Sequence, residues 1–426
     1  MSNAREVAAK VIAEVSRNGS YSNIASDAAI KAAGLSELDA GFASLLIYGA
    51  LQRKTTLEYI IETYSSGGKS KLHPFVSAVL KIGIYQILYM DKVPTSAAVN
   101  ESVNIIKKSK QRFAAGFVNA ILRKIASVKA TILNDISDAE LNIRYSCPNE
   151  IIHSLINDYG KEAAELFLKE SLCSPDTYAR VNSVKICADK LFKSLEANGI
   201  LCTENEPKGA FVTDNLSAAL KSDQFKKGLF FIQDKASQTA INALDIKPQM
   251  SILDVCAAPG GKSFTAAMHL GDDGKIVSCD IYEKRVGLIS SGAKRLGLKS
   301  IETTINDATT YNSELGSFDR VICDVPCSGL GVIRRKPEIK YRALSEYNSL
   351  PALQLQILET SARYLKAGGK IMYSTCTVRK SENECVVSEF LKKHSGFTKI
   401  TEKTLMPQTD GTDGFYFSIM ERTSCE

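Results

Sequence analysis

Two of the chain's 11 cysteines stand in contexts that packing alone does not explain. The run FDRVICDVPCSG reads as a strand that delivers Asp324, Pro326 and Cys327 to its carboxyl end, and GGKIMYSTC reads as the next strand, delivering Ser374, Thr375 and Cys376. Such consecutive strands are neighbours in the usual order of open α/β sheets, so both thiols can face one crevice. Two thiols beside a carboxyl group suit addition to an electron-poor ring. A cytosine fits this chemistry economically: its carbon 5 is a poor nucleophile, but attack of a thiolate on carbon 6 turns it into an enamine carbon able to take a methyl group from a sulfonium. Charge arriving at ring nitrogen 3 needs a stabilising partner, for which Asp324 is the candidate. A proton must then leave carbon 5 before the thiol departs, which gives a second thiol a use. Spacing does not say which of Cys327 and Cys376 attacks.

The methyl donor has its own signal. SILDVC runs straight into AAPGGKS, which places Gly260 and Gly261 in the first strand-to-helix turn, where open α/β sheets bind ligands and glycine lets a nucleotide approach the backbone. The run is neither G-x-G-x-x-G nor G-x-x-x-x-G-K-[ST], so a nucleoside without phosphates is expected. Asp280 ends the second strand and can accept both hydroxyls of a ribose. Asp307 follows the third, positioned for an adenine amino group. Cys256, Ala257, Ala258, Pro259, Gly260, Gly261 and Lys262, with Asp280, Asp307 and Asp324, form the expected S-adenosylmethionine site.

These residues need a doubly wound sheet behind them, and the sequence supplies its alternation from about residue 236: SILDVC, a helix from Ser263, KIVSCD, a helix through Glu283 to Leu296, SIETTIN, FDRVICDV, a helix from Pro351, GGKIMYSTC and a final FYFSIM. Upstream, periods of 3.6 predict helices near 3–17, 22–33, 36–52, 54–64, 74–89, 96–108 and 112–128, punctuated by Asn18-Gly19, Gly34 before an N-cap Ser36, Gly67-Gly68 and Pro94. Between them, 129–235 mixes short helices around 148–169 with TYARVNSV, a helix near 188–198, GAFVTD and GLFFIQD. The expected architecture is multidomain: an all-α bundle over 1–128, a small α+β unit over 129–235 and a Rossmann-like α/β domain over 236–426.

Composition narrows the partners. A hydrophobic share of 44% and a charged share of 23% suit a globular chain, and no stretch approaches the roughly 18 apolar residues of a spanning helix. With no secretory segment, a cytoplasmic location and no membrane partner are expected. An odd number of cysteines, four histidines and no C-x-x-C pair argue against a disulfide framework and against a metal. The net charge of +6 is compatible with a polyanion. Lys107, Lys108, Lys110 and Arg112 cluster at a helix junction, as a solvated helix end or an RNA contact. Arg334, Arg335 and Lys336 follow Cys327 on an expected loop over the crevice, where phosphate contact is predicted, with Arg379 and Lys380 extending the patch.

The carboxyl-terminal half resembles the RNA cytosine carbon-5 methyltransferases of the NOL1/NOP2/Sun superfamily, through QDKASQ (233–238), DVCAAPGGK (254–262), Asp280, Asp307, DVPCSGLGVIRRKPEIK (324–340), STCT (374–377), ENE (382–384) and DGFYFSIM. The resemblance implies that Cys376 is the nucleophile and Cys327 aids release. Lys235 stands where such proteins often carry an acidic residue. The amino-terminal helices resemble the RNA-binding factor NusB, an order found in bacterial 16S rRNA methyltransferases of this superfamily. It implies 16S rRNA or a small-subunit assembly intermediate as partner, with the target base flipped into the crevice. The rivals are the same chemistry on tRNA, which stays open, a DNA enzyme, which leaves Cys376 without a role, and a non-catalytic RNA-binding or antitermination factor, which needs no paired thiols. A dehydrogenase fails on the missing dinucleotide fingerprint.

Overall fold

The computed structural model describes residues 3–18, 22–65 and 72–423. Its contacts divide the chain into two compact units: Met1–Ser174 with Ile333–Leu344, and Pro175–Val332 with Ser345–Glu426.

The first unit is helical: α1 (Ala4–Asn18), α2 (Ser22–Ala33), α3 (Glu37–Gln52), α4 (Lys54–Tyr64), α5 (Pro74–Tyr89), α6 (Thr95–Lys107), α7 (Ala115–Ser127), α8 (Lys129–Asp138), α9 (Leu141–Arg144), α10 (Asn149–Tyr159) and α11 (Lys161–Glu170). The first seven follow the periodicity of the sequence. Ser36 caps α3 by accepting from the Asp39 amide at 3.2 Å, and Pro94 precedes α6. The breaks expected at Gly19 and at Gly67-Gly68 lie outside the described residues. Helix α5 is buried nearly all round, from Val76 to Leu88, as a helix that is apolar on every face must be. The others pack one face each against it or its neighbours, through Ile12, Leu46, Ile47, Leu57, Val118 and Leu122.

Residues 129–174 join this bundle, and so does a segment from far along the chain. In Ile333–Leu344 a 3-10 turn at Pro337–Tyr341 carries Lys340, fully buried, whose ammonium donates to the Gln52 carbonyl at 2.8 Å. Burial lowers that ammonium to about 8. Tyr341 donates to the Leu51 carbonyl at 3.1 Å. Arg334, Arg335 and Lys336 belong to this same segment, whose contacts lie with the helices.

The second unit opens with a small antiparallel sheet: β1 (Ala179–Val181), α12 (Ala188–Glu196), β2 (Cys202–Asn205), β3 (Ala210–Thr213), α13 (Leu216–Lys221), α14 (Asp223–Lys226) and β4 (Phe230–Ile232), in strand order β2-β3-β1-β4. Phe211 and Phe230 pack edge to face at 5.6 Å in its core. The chain continues through α15 (Lys235–Asn242), β5 (Ser251–Asp254), α16 (Gly261–His269), β6 (Lys275–Asp280), α17 (Glu283–Leu296), β7 (Ile301–Ile305), β8 (Phe318–Asp324), α18 (Leu350–Ala362), β9 (Leu365–Thr375), α19 (Glu384–Lys393), β10 (Phe397–Leu405), α20 (Pro407–Asp410) and β11 (Phe415–Arg422).

The large sheet has the order β10-β11-β9-β8-β5-β6-β7. Strands β5 to β9 run parallel, while β11 runs antiparallel to both β9 and β10, so the sheet is mixed rather than wholly parallel. Side chains alternate between its faces: Ile252, Ile276, Ile322 and Met372 fill one core, and Leu253, Val277, Val321, Cys323, Ile371 and Tyr373 the other, as period two requires. After β5 the chain moves outward to β6 and β7, and then returns to place β8 on the other side of β5. The resulting switch point is where open α/β sheets hold ligands.

Candidate active site

The neighbouring carboxyl ends of β8 and β9 bring the two thiols together. Asp324 pairs in register with Ser374, and Sγ of Cys327 lies 3.2 Å from Sγ of Cys376. The hydrogen bond with Cys376, burial, and the charges of Cys376 and Glu382 together push the Cys327 thiol well above its ordinary value. Cys327 is therefore a thiol at neutral pH, within hydrogen-bonding distance of Cys376.

The loops carrying the thiols are held by polar groups that are themselves buried. The Ser328 amide donates to Oε2 of Glu382 at 2.8 Å, and Gln354 donates to the same oxygen at 3.1 Å. Arg379 pairs with Oε1 at 3.2 Å, so this cation is committed to Glu382. Ser328 and Thr377 hydroxyls meet at 2.8 Å. Thr375 donates to Oδ1 of Asn383 at 2.6 Å, and Asn383 donates back to the Thr377 carbonyl at 3.0 Å. Gly331 completes the frame: its amide donates to the Cys376 carbonyl at 3.0 Å, and a Cβ there would collide with the Gly414 carbonyl and approach the Cys376 carbonyl. Only glycine permits these three backbones so close an approach.

Asp324 has both carboxylate oxygens engaged, Oδ1 by the Ser374 hydroxyl and Oδ2 by Nζ of Lys262, each at 2.7 Å. Burial alone would lower the Lys262 ammonium, but Asp324 outweighs it and holds it above the usual lysine value.

A cavity of about 400 Å³ opens beside the thiols, lined by Cys256, Ala258, Asp280, Ile281, Tyr282, Arg285, Asn306, Asp307, Asp324, Pro326, Cys327, Leu353, Ile357 and Cys376 among others, within the usual size range of small-ligand sites. A second, of about 200 Å³, is lined by Gln233, Asp254, Cys256, Ala257, Ala258, Pro259, Gly261, Lys262 and Asp324. The two share Cys256, Ala258 and Asp324. The expected cofactor run is thus divided between them, and Gly260 lines neither. Its φ of +111° opens α16, and a side chain there would strike the Phe264 ring. Arg334, Arg335 and Lys336 line neither cavity.

Two buried carboxylates are short of partners here. Oδ2 of Asp280 lies 3.2 Å from Nη1 of Arg285 yet, among the described residues, accepts no well-directed hydrogen bond, and Oδ1 of Asp254 accepts none. Burial raises the Asp254 carboxyl to about 7, against the pull of the Ser263 hydroxyl that donates to its other oxygen at 2.7 Å. A ligand offering hydroxyls to Asp280 and an ammonium to Asp254 satisfies both, as a ribose and an amino-acid tail would. The chemistry of the donor set fits S-adenosylmethionine.

QDKASQ acts behind the site. Gln233 donates to the Gly261 carbonyl at 3.0 Å and accepts from Thr265 at 2.6 Å, and Asp234 caps α15. The motif thereby fixes the start of α16. Asp307 accepts from the Thr309 amide and hydroxyl at 2.9 and 2.7 Å. Sequence reasoning passed over Ile281, Tyr282, Arg285, Leu353 and Ile357. The first two carried a usable signal, an apolar pair directly after the acidic end of a strand; the two α18 residues reach the site only through the fold.

A seven-stranded sheet with acidic strand ends and paired thiols at its switch point defines a Rossmann-like methyltransferase domain, here on one chain with a helical domain of the NusB type. Residues 241–421 match the family model described as 16S rRNA methyltransferase RsmB/F, and residues 2–127 match that of the NusB family. Relatives span the whole length: a probable ribosomal RNA small subunit methyltransferase B of Bacillus subtilis (strain 168) is 33% identical, covering 98% of both chains, and a ribosomal RNA small subunit methyltransferase B of Erwinia tasmaniensis is 30% identical with the same coverage. Among solved structures, PH0851 matches 99% of both chains with a TM-score of 0.81 at 23% identity. NSun6 from Pyrococcus horikoshii with SFG covers 65% of this chain and 99% of its own, with a TM-score of 0.60 at 21% identity. The chain belongs to the RsmB/F family of methyltransferases, and its methyl donor is S-adenosylmethionine. Among the described residues, no helix is long and apolar enough to cross a membrane, and no group of His, Cys, Asp and Glu could hold a metal ion.

Proposed function

We propose that the protein methylates carbon 5 of a cytosine in 16S rRNA, in the cytoplasm, through a covalent adduct of Cys376 with carbon 6 of the base. The observation that carries this reading is the 3.2 Å pair of sulfurs lining the larger cavity. The names of the relatives support small-subunit rRNA as the substrate class.

Cys376 attacks carbon 6 as the thiolate, which moves an electron pair toward carbon 5 while the Lys262 ammonium, held by Asp324, meets the charge that arrives on the ring. S-adenosylmethionine supplies the methyl group as a sulfonium and leaves as the neutral thioether. Once Cys376 is a thioether, both its charge and its hydrogen bond with Cys327 are gone, so Cys327 can give its proton to solvent and take the one on carbon 5. The electrons of that C–H bond restore the ring double bond, and Cys376 leaves carbon 6 as a thiolate beside a protonated Cys327. One proton is released per methyl transferred, as the balanced reaction requires. Asp280 holds the ribose hydroxyls, Asp307 the adenine edge and Asp254 the amino-acid end of the donor. Residues 1–128 bind the RNA.

Incubation with a 16S rRNA transcript and donor labelled in its methyl group, followed by nuclease digestion, is expected to give 5-methylcytidine. Label confined to another nucleoside refutes the assignment, and label appearing only on tRNA moves the substrate. Asp280→Ala is expected to weaken S-adenosylmethionine binding by roughly 10- to 100-fold, the effect of losing charge-assisted hydrogen bonds, with RNA affinity unchanged. Calorimetry returning wild-type donor affinity would sink the ribose role.

A further inference from the structure

The net charge of the chain is concentrated in one place. Between Glu101 and Asp135 there is no acidic residue but there are seven basic ones, Lys107, Lys108, Lys110, Arg112, Arg123, Lys124 and Lys129. Against +6 for the whole chain, everything outside this stretch is within a unit of neutral. The stretch covers the end of α6, the turn after it and all of α7. At the turn, Lys107, Lys108, Lys110 and Arg112 are all exposed, and among the described residues none of the four is held in an ion pair.

In the middle of these cations stands Phe113, 84% exposed. Leu38, the other described apolar side chain of comparable exposure at 88%, sits between Glu37 and Asp39, with no basic neighbour in sequence. Among the described residues Phe113 is the most exposed aromatic side chain, and it directly follows Arg112 in this basic stretch. The turn is not a loose loop. Ser109 donates its amide to the Ile106 carbonyl at 3.0 Å and Ala114 to Gln111 at 2.8 Å, the Gln111 amide donates to the Ser109 hydroxyl at 3.0 Å, and the Gln111 side chain meets His73 at 3.3 Å. Ala114 is buried directly after Phe113, and α7 is anchored through Val118, Ile121 and Leu122. The ring is thus displayed from a short 3-10 turn, Arg112–Ala114, clamped between two core helices.

We infer that this turn is an RNA-docking platform on which an unpaired base of the substrate stacks on Phe113 while Lys107, Lys108, Lys110 and Arg112 hold the flanking phosphates. A flat aromatic face suits a base because every base has one, and a surround of lysine and arginine suits a backbone carrying one charge per nucleotide. The four cations flanking the ring favour an anionic partner over an apolar protein face. The inference rests on the reading of the protein as an RNA methyltransferase and assigns part of the RNA grip to a surface that is no part of the catalytic cleft.

The test uses the full chain, a 16S rRNA transcript and, as control, a fully paired RNA duplex. Phe113→Ala is expected to raise Kd for the transcript roughly five- to hundredfold, the effect of losing one base stack, and to leave binding of the duplex unchanged. Replacing Lys107, Lys108 and Lys110 together by Gln is expected to weaken both and to lower the slope of log Kd against log salt by about two. Both variants should bind S-adenosylmethionine as the wild type does, which reports a folded protein. In methyl transfer, KM for RNA should rise with kcat unchanged. Wild-type affinity of Phe113→Ala for the transcript overturns the proposal, whatever the lysines do. If the wild type methylates no RNA, the functional reading fails, while the binding comparison still decides the platform.

Discussion

Cys376→Ala is expected to lose methyl transfer by on the order of 10⁴-fold or more, whereas Cys327→Ala is expected to stall after transfer and accumulate protein-linked RNA that survives a denaturing gel. Loss of the attacking sulfur leaves carbon 5 unactivated, and the third cysteine of the cavity, Cys256, is held far above its ordinary value by burial and by the charges of Cys323, Asp254, Asp324 and Asp280. Loss of Cys327 has a different consequence. Its thiol is raised by Cys376 first of all, so its chemistry changes when Cys376 is tied up in the adduct. Without it, the proton on carbon 5 has lost its acceptor and the thioether cannot break. The reverse pattern, an adduct with Cys376→Ala and none with Cys327→Ala, would make Cys327 the nucleophile.

Glu382→Ala is expected to reduce kcat roughly 10²- to 10³-fold and to give a fainter version of the same trapped adduct. The Glu382 side chain is fully buried and touches neither cavity. It acts through Ser328, whose amide it accepts at 2.8 Å one residue after Cys327. A displacement of about 1 Å at a reacting group is worth about 10²-fold. Removal of the carboxylate also strands Arg379, at a cost of roughly 3 kcal/mol in stability for a buried pair broken on one side. Two readouts separate positioning from simple unfolding: donor affinity by calorimetry should stay at the wild-type value, and Glu382→Gln, which keeps one acceptor for the Ser328 amide, should recover most of kcat. An Ala variant with full activity, or one whose loss is matched by loss of donor binding, would dismiss the positioning role.

Much of this architecture was legible along the chain. Helices α1 to α4, α6 and α7 declare themselves by period, and α5 by a run of apolar residues interrupted only by Ser77, Lys81 and Gln86. The strand ends bearing Asp254, Asp280, Asp324 and Cys376 are legible because each is a short apolar run closed by a polar residue. Strand β10, FTKITEKTL, escaped notice because it is an edge strand with mostly exposed Thr, Lys and Glu, the composition that protects an edge from pairing with another chain. Strand β2, CTEN, was missed for a similar reason. Both leave little apolar surface to read.

The sequence by itself determined the chemistry available: two thiols, their neighbouring carboxyl group, the acidic strand ends and the glycine turn, because residue types and their distance from a strand end are local properties. The tertiary structure alone decided which groups meet. The 3.2 Å approach of Cys327 and Cys376 spans 49 residues and depends on β8 and β9 being neighbours in register. The grip of Glu382 on the Cys327 loop, the division of the donor site into two cavities, and the membership of Arg334, Arg335 and Lys336 in the helical unit have no local signature. Each is a contact between segments far apart in sequence, and such contacts are selected by packing the whole core, not by the preferences of the residues that make them.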